Sequence, residues 1–413
     1  MTGRKTIFCV TTFLLAVLSA HARSVVYSNQ VKTLQVIVNQ EWLSLPVMML
    51  GQGDVLNVSF DELSHDYHRY IYRLEHCEAD WSPSEGLFES NWLRGFNNNP
   101  IEDYENSLNT TVLYTHYRLQ IPNSRCQLVM SGNYRMHIID EESDEEVACA
   151  EFRVVEPQVN VGLSVTTNTD IDHNMSHQQV SMTLRLNNLN ITNPAEQLKT
   201  VVMQNGREDT QRMNPKPTYT RRDQIQWDHN RELIFDAGNE YHKFEVLDVS
   251  HATMGLDRIV WDGESYHAYP FVNEPRRNYV YDEDADGAFY IRNSDNIEND
   301  RTCDYVYVHY KLCPATEQTD SEVSIEGQWV TEAPENYMMT YDGNDCSYKA
   351  VILQKQGYYS YLYKLTDTEG KIKILPEEGS FFETENRYQA FVYYKPIGGR
   401  TWQLVGYQQV IIK

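Results

Sequence analysis

The sequence predicts an all-β fold of tandem immunoglobulin-like β-sandwich domains with long loops. Short apolar runs of alternating polarity recur between turn residues along the chain, which is typical of strands. The chain contains 29 Tyr and 7 Trp, and aromatic side chains pack well on half-buried pleated surfaces. No helical hydrophobic period extends beyond a turn or two, and there is no heptad repeat. These observations favour sheets over helices throughout.

Length and composition narrow the classes of protein. A chain of 413 residues is long enough for roughly two to four domains, each with its own core. The hydrophobic fraction of 41% excludes disorder along the whole chain. The net charge of −24 repels phosphate backbones, so nucleic acid is disfavoured as a partner.

Residues 1–22 have the pattern of a secretory signal peptide. A basic start at Arg4 and Lys5 precedes the apolar run Ile7–Leu18 and the small-residue cleavage site Ala20-His21-Ala22. No later stretch is apolar enough for a membrane-spanning helix, and Cys9 lies too early to serve as a lipid-attachment cysteine. We therefore expect an exported chain without a direct lipid anchor.

Two boundaries divide the remainder of the chain. Strand-like runs fill residues 23–156, and Pro157 marks an exit because proline cannot donate to a central ladder. A polar middle region, 157–279, contains the hairpin signal Asn205-Gly206. The clearest alternation follows in 280–413. We expect an N-terminal sandwich, a middle β-rich domain and a C-terminal sandwich over these ranges.

The cysteines leave two alternatives open. An even number lies beyond the signal peptide in an exported chain, so either disulfides or small buried thiols fit, and spacing does not reveal connectivity. No C-x-x-C pair indicates zinc or redox chemistry. The residues concerned are Cys77, Cys126, Cys149, Cys303, Cys313 and Cys346.

The common catalytic signatures are absent, so we expect no catalytic, cofactor-binding or metal-binding residues. His173 and His177 have the spacing of zinc ligands on a helix, but their surroundings indicate a loop. Asp282, Asp284 and Asp286 have the spacing of calcium ligands without the closing glutamate, so a solvated acidic turn is the simpler interpretation.

The densest group of polar and aromatic residues lies between positions 76 and 117. Loops of this length in compact domains are usually functional or internally packed. We expect an ordered loop that forms one edge of a partner-binding surface. The candidate partner-binding residues are Trp81, Trp92, Phe96, Tyr104, Tyr114 and Tyr117. The candidates for structuring the loop by hydrogen bonds are His76, Asp80, Asp103, Asn109 and His116.

These motifs resemble the first domain of the type IX secretion system Plug family. The resemblance rests on His76-Cys77-x-Ala79-Asp80-Trp81, Leu93-x-Gly95-Phe96, Ile101-x-Asp103-Tyr104, Asn109-Thr110, Tyr114-Thr115-His116-Tyr117 and Ser131-Gly132-Asn133-Tyr134. It continues toward the C-terminus in Glu232-Leu233-Ile234-Phe235, Gly238-Asn239-Glu240-Tyr241, Glu378-Gly379-Ser380-Phe381 and Gly398-Gly399-Arg400.

The resemblance implies a non-enzymatic, β-rich periplasmic protein of Bacteroidetes-type bacteria. Its implied partner is the giant outer-membrane β-barrel translocon of the type IX secretion system, whose periplasmic mouth such proteins are thought to seal when no substrate is in transit. It implies no cofactor and no catalytic residue.

Two other functions compete with this one. An exported glycan-binding module is the alternative, because Tyr359, Tyr361 and Tyr363 share one strand face that could stack on sugar rings, although such a face more often packs a core. A secreted hydrolase with dispersed carboxylates is the third possibility, because the spacing of paired acids in space cannot be read from sequence.

Overall fold

A computed structural model describes residues 23–413 except 188, 190 and 319. It confirms the all-β prediction, with several sheets stacked into sandwiches. The predicted signal peptide, residues 1–22, lies outside the described residues. Among the described helices, none is long and apolar enough to cross a membrane. Within the described ranges, the helical elements are α1 (Pro194–Gln197), α2 (Asn299–Thr302) and short 3-10 turns at Glu89–Asn91, Glu208–Thr210, Arg231–Leu233, Pro334–Tyr337 and Pro376–Glu378.

The strands follow one another through the chain in four groups. The first group is β1 (Val25–Val26), β2 (Val31–Val38), β3 (Val47–Met49), β4 (Leu56–Glu62), β5 (Tyr70–Cys77), β6 (Leu93–Gly95), β7 (Asn99–Pro100), β8 (Asp103–Asn106), β9 (Thr115–Ile121), β10 (Cys126–Leu128), β11 (Gly132–Asp140) and β12 (Glu146–Val155). The second is β13 (Asn160–Thr166), β14 (His177–Arg185), β15 (Leu198–Gln204), β16 (Arg212–Met213), β17 (Tyr219–Thr220), β18 (Gln224–Trp227) and β19 (Ile234–Asp236). The third is β20 (His242–Glu245), β21 (Leu256–Trp261), β22 (Tyr266–Pro270), β23 (Phe289–Ile291), β24 (Tyr305–Leu312), β25 (Ser321–Glu326), β26 (Thr340–Asp342), β27 (Ser347–Lys355), β28 (Gly357–Asp367) and β29 (Ile372–Ile374). The last is β30 (Asn386–Tyr394) and β31 (Gln403–Ile412).

The first group of strands forms the first sandwich. One sheet has the order β1-β12-β11-β5-β7, with β3 parallel to β12, and the facing sheet has the order β2-β4-β9-β8. Alternate residues of each strand point inward, as the period of two requires, so Val58, Phe60, Met136 and Ile138 meet in one core. The small two-stranded antiparallel sheet of β6 and β10 lies beside this core and buries Leu93 and Cys126 in it.

The second sandwich draws its strands from two distant parts of the chain. Its sheets are β13-β14-β18-β17, with β19 beside β14, and β16-β15-β30-β31. The last two strands of the protein complete this core, since β30 pairs along the whole of β15 from Leu198 opposite Tyr394 to Gln204 opposite Tyr388.

The third sandwich is inserted into the second. Its sheets are β20-β28-β23, with β25 and β29 also paired to β28, and β21-β22-β24-β27-β26. The strand pairing therefore differs from the predicted ranges 157–279 and 280–413: β20 to β22 belong to the third core, and β30 and β31 belong to the second. Alternation identifies a strand but not its partner, which depends on which apolar faces meet.

The two chain segments that connect the second and third sandwiches run side by side. The backbone N–H of Phe381 donates to the carbonyl of Gly238 at 2.8 Å. The hydroxyl of Thr384 donates to the same carbonyl at 2.8 Å, and the side-chain amide of Asn239 donates to the carbonyl of Glu378 at 2.8 Å. These bonds hold the entry and the exit of the insertion together.

An apolar interface joins the first and second sandwiches. Val155 of the first packs with Val201, Phe391 and Leu404 of the second in a separate hydrophobic cluster. The guanidinium of Arg153 lies 4.5 Å from the ring centroid of Phe391, and so stacks across the boundary.

A buried ion pair joins the first and third sandwiches. The carboxylate of Asp61, which is fully buried, accepts from Lys355 Nζ at 2.7 Å and from the Tyr305 hydroxyl at 2.6 Å, both in the third sandwich. His116 Nδ1 lies 2.6 Å from the other carboxylate oxygen. Burial by itself raises the pKa of Asp61, but Lys355 and His116 outweigh it and lower that pKa below its usual value.

We expect Lys355→Met to destabilise the protein by roughly 3–5 kcal/mol, because it removes the ammonium group that pairs with the fully buried Asp61 carboxylate. The measurement is the urea midpoint of unfolding. Lys349→Met is the matched control: Lys349 bonds Asp342 at 2.8 Å but is much more exposed, so its loss should shift the midpoint far less. Equal shifts for the two variants would contradict the importance of the buried pair.

Candidate partner-binding surface

Four of the six aromatic residues predicted to bind a partner are buried inside the chain itself. Trp92 packs in the first core, with its ring 5.9 Å from that of Tyr134. Trp81 adopts a left-handed backbone conformation, with φ +64°, and its ring faces Arg153 at 4.9 Å. Both side chains are buried, so the packing does not favour them as partner contacts.

The other two buried aromatics are Tyr114 and Tyr117. Tyr117 stacks on Phe60 with ring centroids 5.2 Å apart. Tyr114 lies at the boundary with the third sandwich, where its hydroxyl donates to the carbonyl of Cys303 at 2.7 Å and Lys355 Nζ lies 4.2 Å from its ring centroid. Through Tyr114, the aromatic loop therefore packs against the third sandwich of the same chain.

The residues predicted to structure the loop fall into two groups. His76 and His116 are buried: His76 Nδ1 lies 2.8 Å from the Ser84 hydroxyl, and its Nε2 lies 3.2 Å from the Ser131 carbonyl. Position 132 requires glycine, because a Cβ atom there would lie 2.4 Å from His76 Nε2. His76 thus joins the loop to the sheet, whereas His116 lies on β9 and contacts Asp61 on the neighbouring strand β4.

The remaining three predicted loop residues are exposed. Asp80 accepts from the Ser82 hydroxyl at 2.6 Å and closes the turn at that point. Asp103 accepts two hydrogen bonds from Arg118, at 3.0 and 3.2 Å. Asn109 occupies a left-handed position with φ +60°, which asparagine tolerates better than most residues.

Phe96 and Tyr104 are the two predicted aromatics that reach solvent. Tyr104 is 41% exposed and stacks on Tyr67, with ring centroids 4.5 Å apart. Phe96 is 73% exposed and follows β6, where its backbone N–H donates to the carbonyl of Arg125 at 2.9 Å. A fixed backbone below an exposed ring is the arrangement expected of a binding anchor.

Phe96 is one of three highly exposed apolar side chains on chain segments that hydrogen bonds connect, and we call Phe88, Phe96 and Ile397 the tip patch. Phe88 is 73% exposed and Ile397 is 80% exposed. Hydrogen bonds connect the three segments: Asn97 donates to Glu89 at 3.0 Å, and Arg400 donates to Asn91 at 3.2 Å. The tip patch therefore spans the first and second sandwiches.

Local sequence explains why these side chains point outward. Ile397 sits at the second position of the turn Pro396-Ile397-Gly398-Gly399, in which Gly398 has φ +76° and the N–H of Gly399 donates to the Pro396 carbonyl. Phe88 precedes a 3-10 turn, and its N–H donates to the Asn91 side chain at 3.0 Å. An apolar residue at the tip of a glycine turn was a signal that the sequence analysis missed.

The acidic turn Asp282–Gly287 is solvated only at its start: Asp282 and Glu283 are exposed, Asp284 is half-buried, and Asp286 is buried. Asp284 accepts from the N–H of Asp286 at 2.7 Å and from the N–H of Tyr241, while Asp282 pairs with Lys243. Burial, followed by the nearby charge of Asp286, raises the pKa of Asp284 well above its usual range. Among the described residues these carboxylates do not converge as calcium ligands would.

The other sites weighed from sequence take structural roles. His173 contacts Asn168 at 2.6 Å, whereas His177 contacts Asp172 at 2.6 Å, so the two do not form a zinc pair. The face of Tyr359, Tyr361 and Tyr363 lies in the third core. The six cysteines are free in this structure; Cys77, Cys126, Cys149 and Cys303 are buried, Cys313 is half-buried and Cys346 is exposed.

Trp92→Ala should destabilise the protein by about 3–5 kcal/mol because it opens a cavity in the first core, whereas Phe96→Ala should change stability by less than about 0.5 kcal/mol. Thermal unfolding followed by circular dichroism measures both. A large loss of stability in the Phe96 variant would show that this ring supports the fold and is not a free anchor.

The raised pKa of Asp286 predicts the direction in which the unfolding free energy changes with pH. Burial raises this pKa to about 6, although Arg387 lowers it. A raised carboxyl pKa contributes stability that is present at low pH and lost as the pH rises through the folded value. Between about pH 5 and about pH 8, the unfolding free energy should therefore fall by roughly 1 kcal/mol more in the wild type than in Asp286→Asn.

Urea unfolding at the two pH values measures this difference. Asparagine keeps the left-handed turn at position 286, where φ is +50°, so the variant removes the charge without straining the backbone. Asp223→Asn, at an exposed position, is the control and should follow the wild type. An Asp286→Asn protein with unchanged pH dependence would contradict the raised pKa.

Comparison with known proteins places this architecture in a family. Residues 31–156 match the family model described as the type 9 secretion system plug protein first domain. A crystal structure of a hypothetical protein from Parabacteroides merdae is 37% identical, with a TM-score of 0.91, and the match covers 94% of this chain and 99% of that one. No curated protein matches the chain.

Two streptococcal antigen I/II domains align along nearly the whole chain but with very low identity and TM-score. The C-terminal domain of the antigen I/II polypeptide BspA from Streptococcus agalactiae is 6% identical over 94% of this chain and 98% of that one, with a TM-score of 0.15. The AspA domain from Streptococcus pyogenes is 8% identical over 93% and 99%, with a TM-score of 0.17. Such scores do not indicate a shared fold. From the first-domain match over the first sandwich, together with the near-complete match to the Parabacteroides structure, the chain belongs to the type IX secretion system plug family.

Proposed function

We propose that this protein is the periplasmic plug subunit of the type IX secretion system. It binds the periplasmic mouth of the giant outer-membrane β-barrel translocon and seals the pore when no substrate is in transit. The observation that carries the proposal is the match of residues 31–156 to the plug's first domain. The secretory pattern of residues 1–22 supports a periplasmic location reached by export.

The packing of the three sandwiches supports a sealing role. Each sandwich contacts the other two: through the cluster around Val155 and Phe391, through the Asp61–Lys355 pair, and through the connecting segments at Gly238 and Phe381. A closed set of contacts resists bending at any one boundary. A cap over a wide aqueous pore needs this stiffness, because deformation would open a leak around its edge.

The tip patch supports a docking role. Aromatic and large aliphatic side chains at loop tips are typical anchors of protein interfaces, and an interface strong enough to seal should bury upwards of about 1,000 Å². Phe88, Phe96 and Ile397 are more than 70% exposed, while most other large aromatic residues of the first sandwich are buried. Tyr67 and Tyr104 offer a second exposed aromatic pair on that sandwich.

The competing functions receive no support from a specific observation. The tyrosine face that motivated a glycan-binding module is buried, with Tyr363 fully inaccessible. The plug family is not an enzyme family, and we propose a non-catalytic role for this member.

Replacing the tip patch should weaken binding to the barrel while leaving the fold intact. The experiment is affinity purification of the tagged full chain from detergent-solubilised envelopes of its own host, with mass spectrometry of the proteins recovered. The wild type should recover a very large outer-membrane barrel in near-equal amount. The variant Phe88→Ser, Phe96→Ser, Ile397→Ser should lose at least about tenfold of that yield, since interface anchors contribute 2 kcal/mol or more each.

A matched triple variant, with serine at Phe271, Val272 and Val280, tests whether the loss of any exposed apolar area is enough to reduce the recovery of the barrel. These residues are also exposed, by 59%, 47% and 72%, but lie in the third sandwich, so the yield should stay at the wild-type level. Cells that express only the tip-patch variant should also admit a large hydrophilic dye. Failure of the wild type to recover a barrel would refute the proposed function, whereas full recovery by the tip-patch variant would refute only the docking surface.

A further inference from the structure

The hairpin of β11 and β12 brings together three side chains that can ligate a metal ion. His137, Glu146 and Cys149 each direct one ligand atom to a common point, with all these atoms within 4.8 Å of one another. His137 Nδ1 lies 2.8 Å from Glu146 Oε1, and His137 is directly opposite Cys149 in the strand register. The group lies outside every surface invoked for docking.

We propose that His137, Glu146 and Cys149 form a binding site for a divalent transition-metal ion, with Zn²⁺ as the best-matched ion. Imidazole, thiolate and carboxylate together are typical zinc ligands, while calcium and magnesium prefer oxygen alone. Tetrahedral zinc with bonds of about 2.0–2.3 Å needs ligand atoms about 3.3–3.8 Å apart. Binding of an ion would therefore open the 2.8 Å contact between His137 Nδ1 and Glu146 Oε1 and shorten the longer separations, which reach at most 4.8 Å.

A second carboxylate is placed to orient the histidine. When Nδ1 faces the metal, the proton of the neutral imidazole is carried by Nε2, and His137 Nε2 lies 3.6 Å from Glu75 Oε2 on β5. Histidine ligands of zinc commonly donate their other N–H to a carboxylate in this way. Glu75 is thus a positioning residue, and the fourth coordination position is left for water.

The charges of the site suit a dication. One carboxylate and one thiolate balance Zn²⁺, and coordination releases two protons to solvent, one from the thiol and one from the His137 imidazolium that pairs with Glu146. The simple alternative is an ion pair between His137 and Glu146 that Cys149 happens to adjoin. That alternative accounts for the 2.8 Å contact but requires no role for the sulfur, so the test must detect the sulfur.

Cobalt substitution provides that test. The reduced, metal-free full chain is titrated with Co²⁺, and the thiolate-to-cobalt charge-transfer band is recorded in the near ultraviolet; Zn²⁺ affinity is then measured by competition with a chromophoric chelator. The wild type should bind one Co²⁺ with this band, and Cys149→Ser should lose it. Glu75→Gln should weaken Zn²⁺ binding about tenfold or more without abolishing the band.

The matched control is Cys346→Ser, which removes an exposed thiol elsewhere and should retain both the band and the affinity. Circular dichroism checks that each variant is folded, and His137→Gln replaces Cys149→Ser if the latter does not fold. Absence of the band in the wild type would overturn the proposal. The proposal would also be overturned if the charge-transfer band persisted in Cys149→Ser, or if it persisted in His137→Gln with unchanged Zn²⁺ affinity. Loss of the band in Cys346→Ser would overturn it as well. None of these results bears on barrel binding.

Discussion

The arrangement of the molecule depends on the need to neutralise one buried carboxylate. Asp61 is fully buried, and an unpaired charge in that environment costs several kcal/mol. Its partners come from two sandwiches: His116 lies in the same sandwich as Asp61, and Lys355 and Tyr305 lie in the third. Only one placement of the first sandwich on the third satisfies all of them, so this site sets the relative position of the two sandwiches.

The insertion of the third sandwich into the second extends that constraint to the whole chain. Because β30 returns to pair with β15, the third sandwich is tethered at both ends to the second. The second in turn packs on the first through a dry cluster that includes Val201 and Phe391. The result is a ring of mutual contacts, in which moving any one sandwich breaks two interfaces.

This packing also explains why few aromatic side chains of the 76–117 segment remain exposed for a partner. Most aromatic residues of the 76–117 segment hold the first sandwich together or attach it to the third, as Tyr114 does by bonding the carbonyl of Cys303. What is left for a partner is at loop tips, where turn geometry rather than packing decides direction. The two phenylalanines and Ile397 come from segments about three hundred residues apart in the chain, linked by the Arg400–Asn91 hydrogen bond.

The sequence by itself determined the class of fold, most strand positions, the importance of the 76–117 segment and the family to which the chain belongs, because alternation and motifs are local properties. Alternation located the strand from 388 to 394 but not its partner, since any apolar face can pair with any other until packing selects one. In the same way, Trp92 and Phe96 look equivalent as aromatic loop residues. Only the tertiary structure decided that the first is core and the second is surface, because burial is a property of what surrounds a side chain and not of the side chain itself.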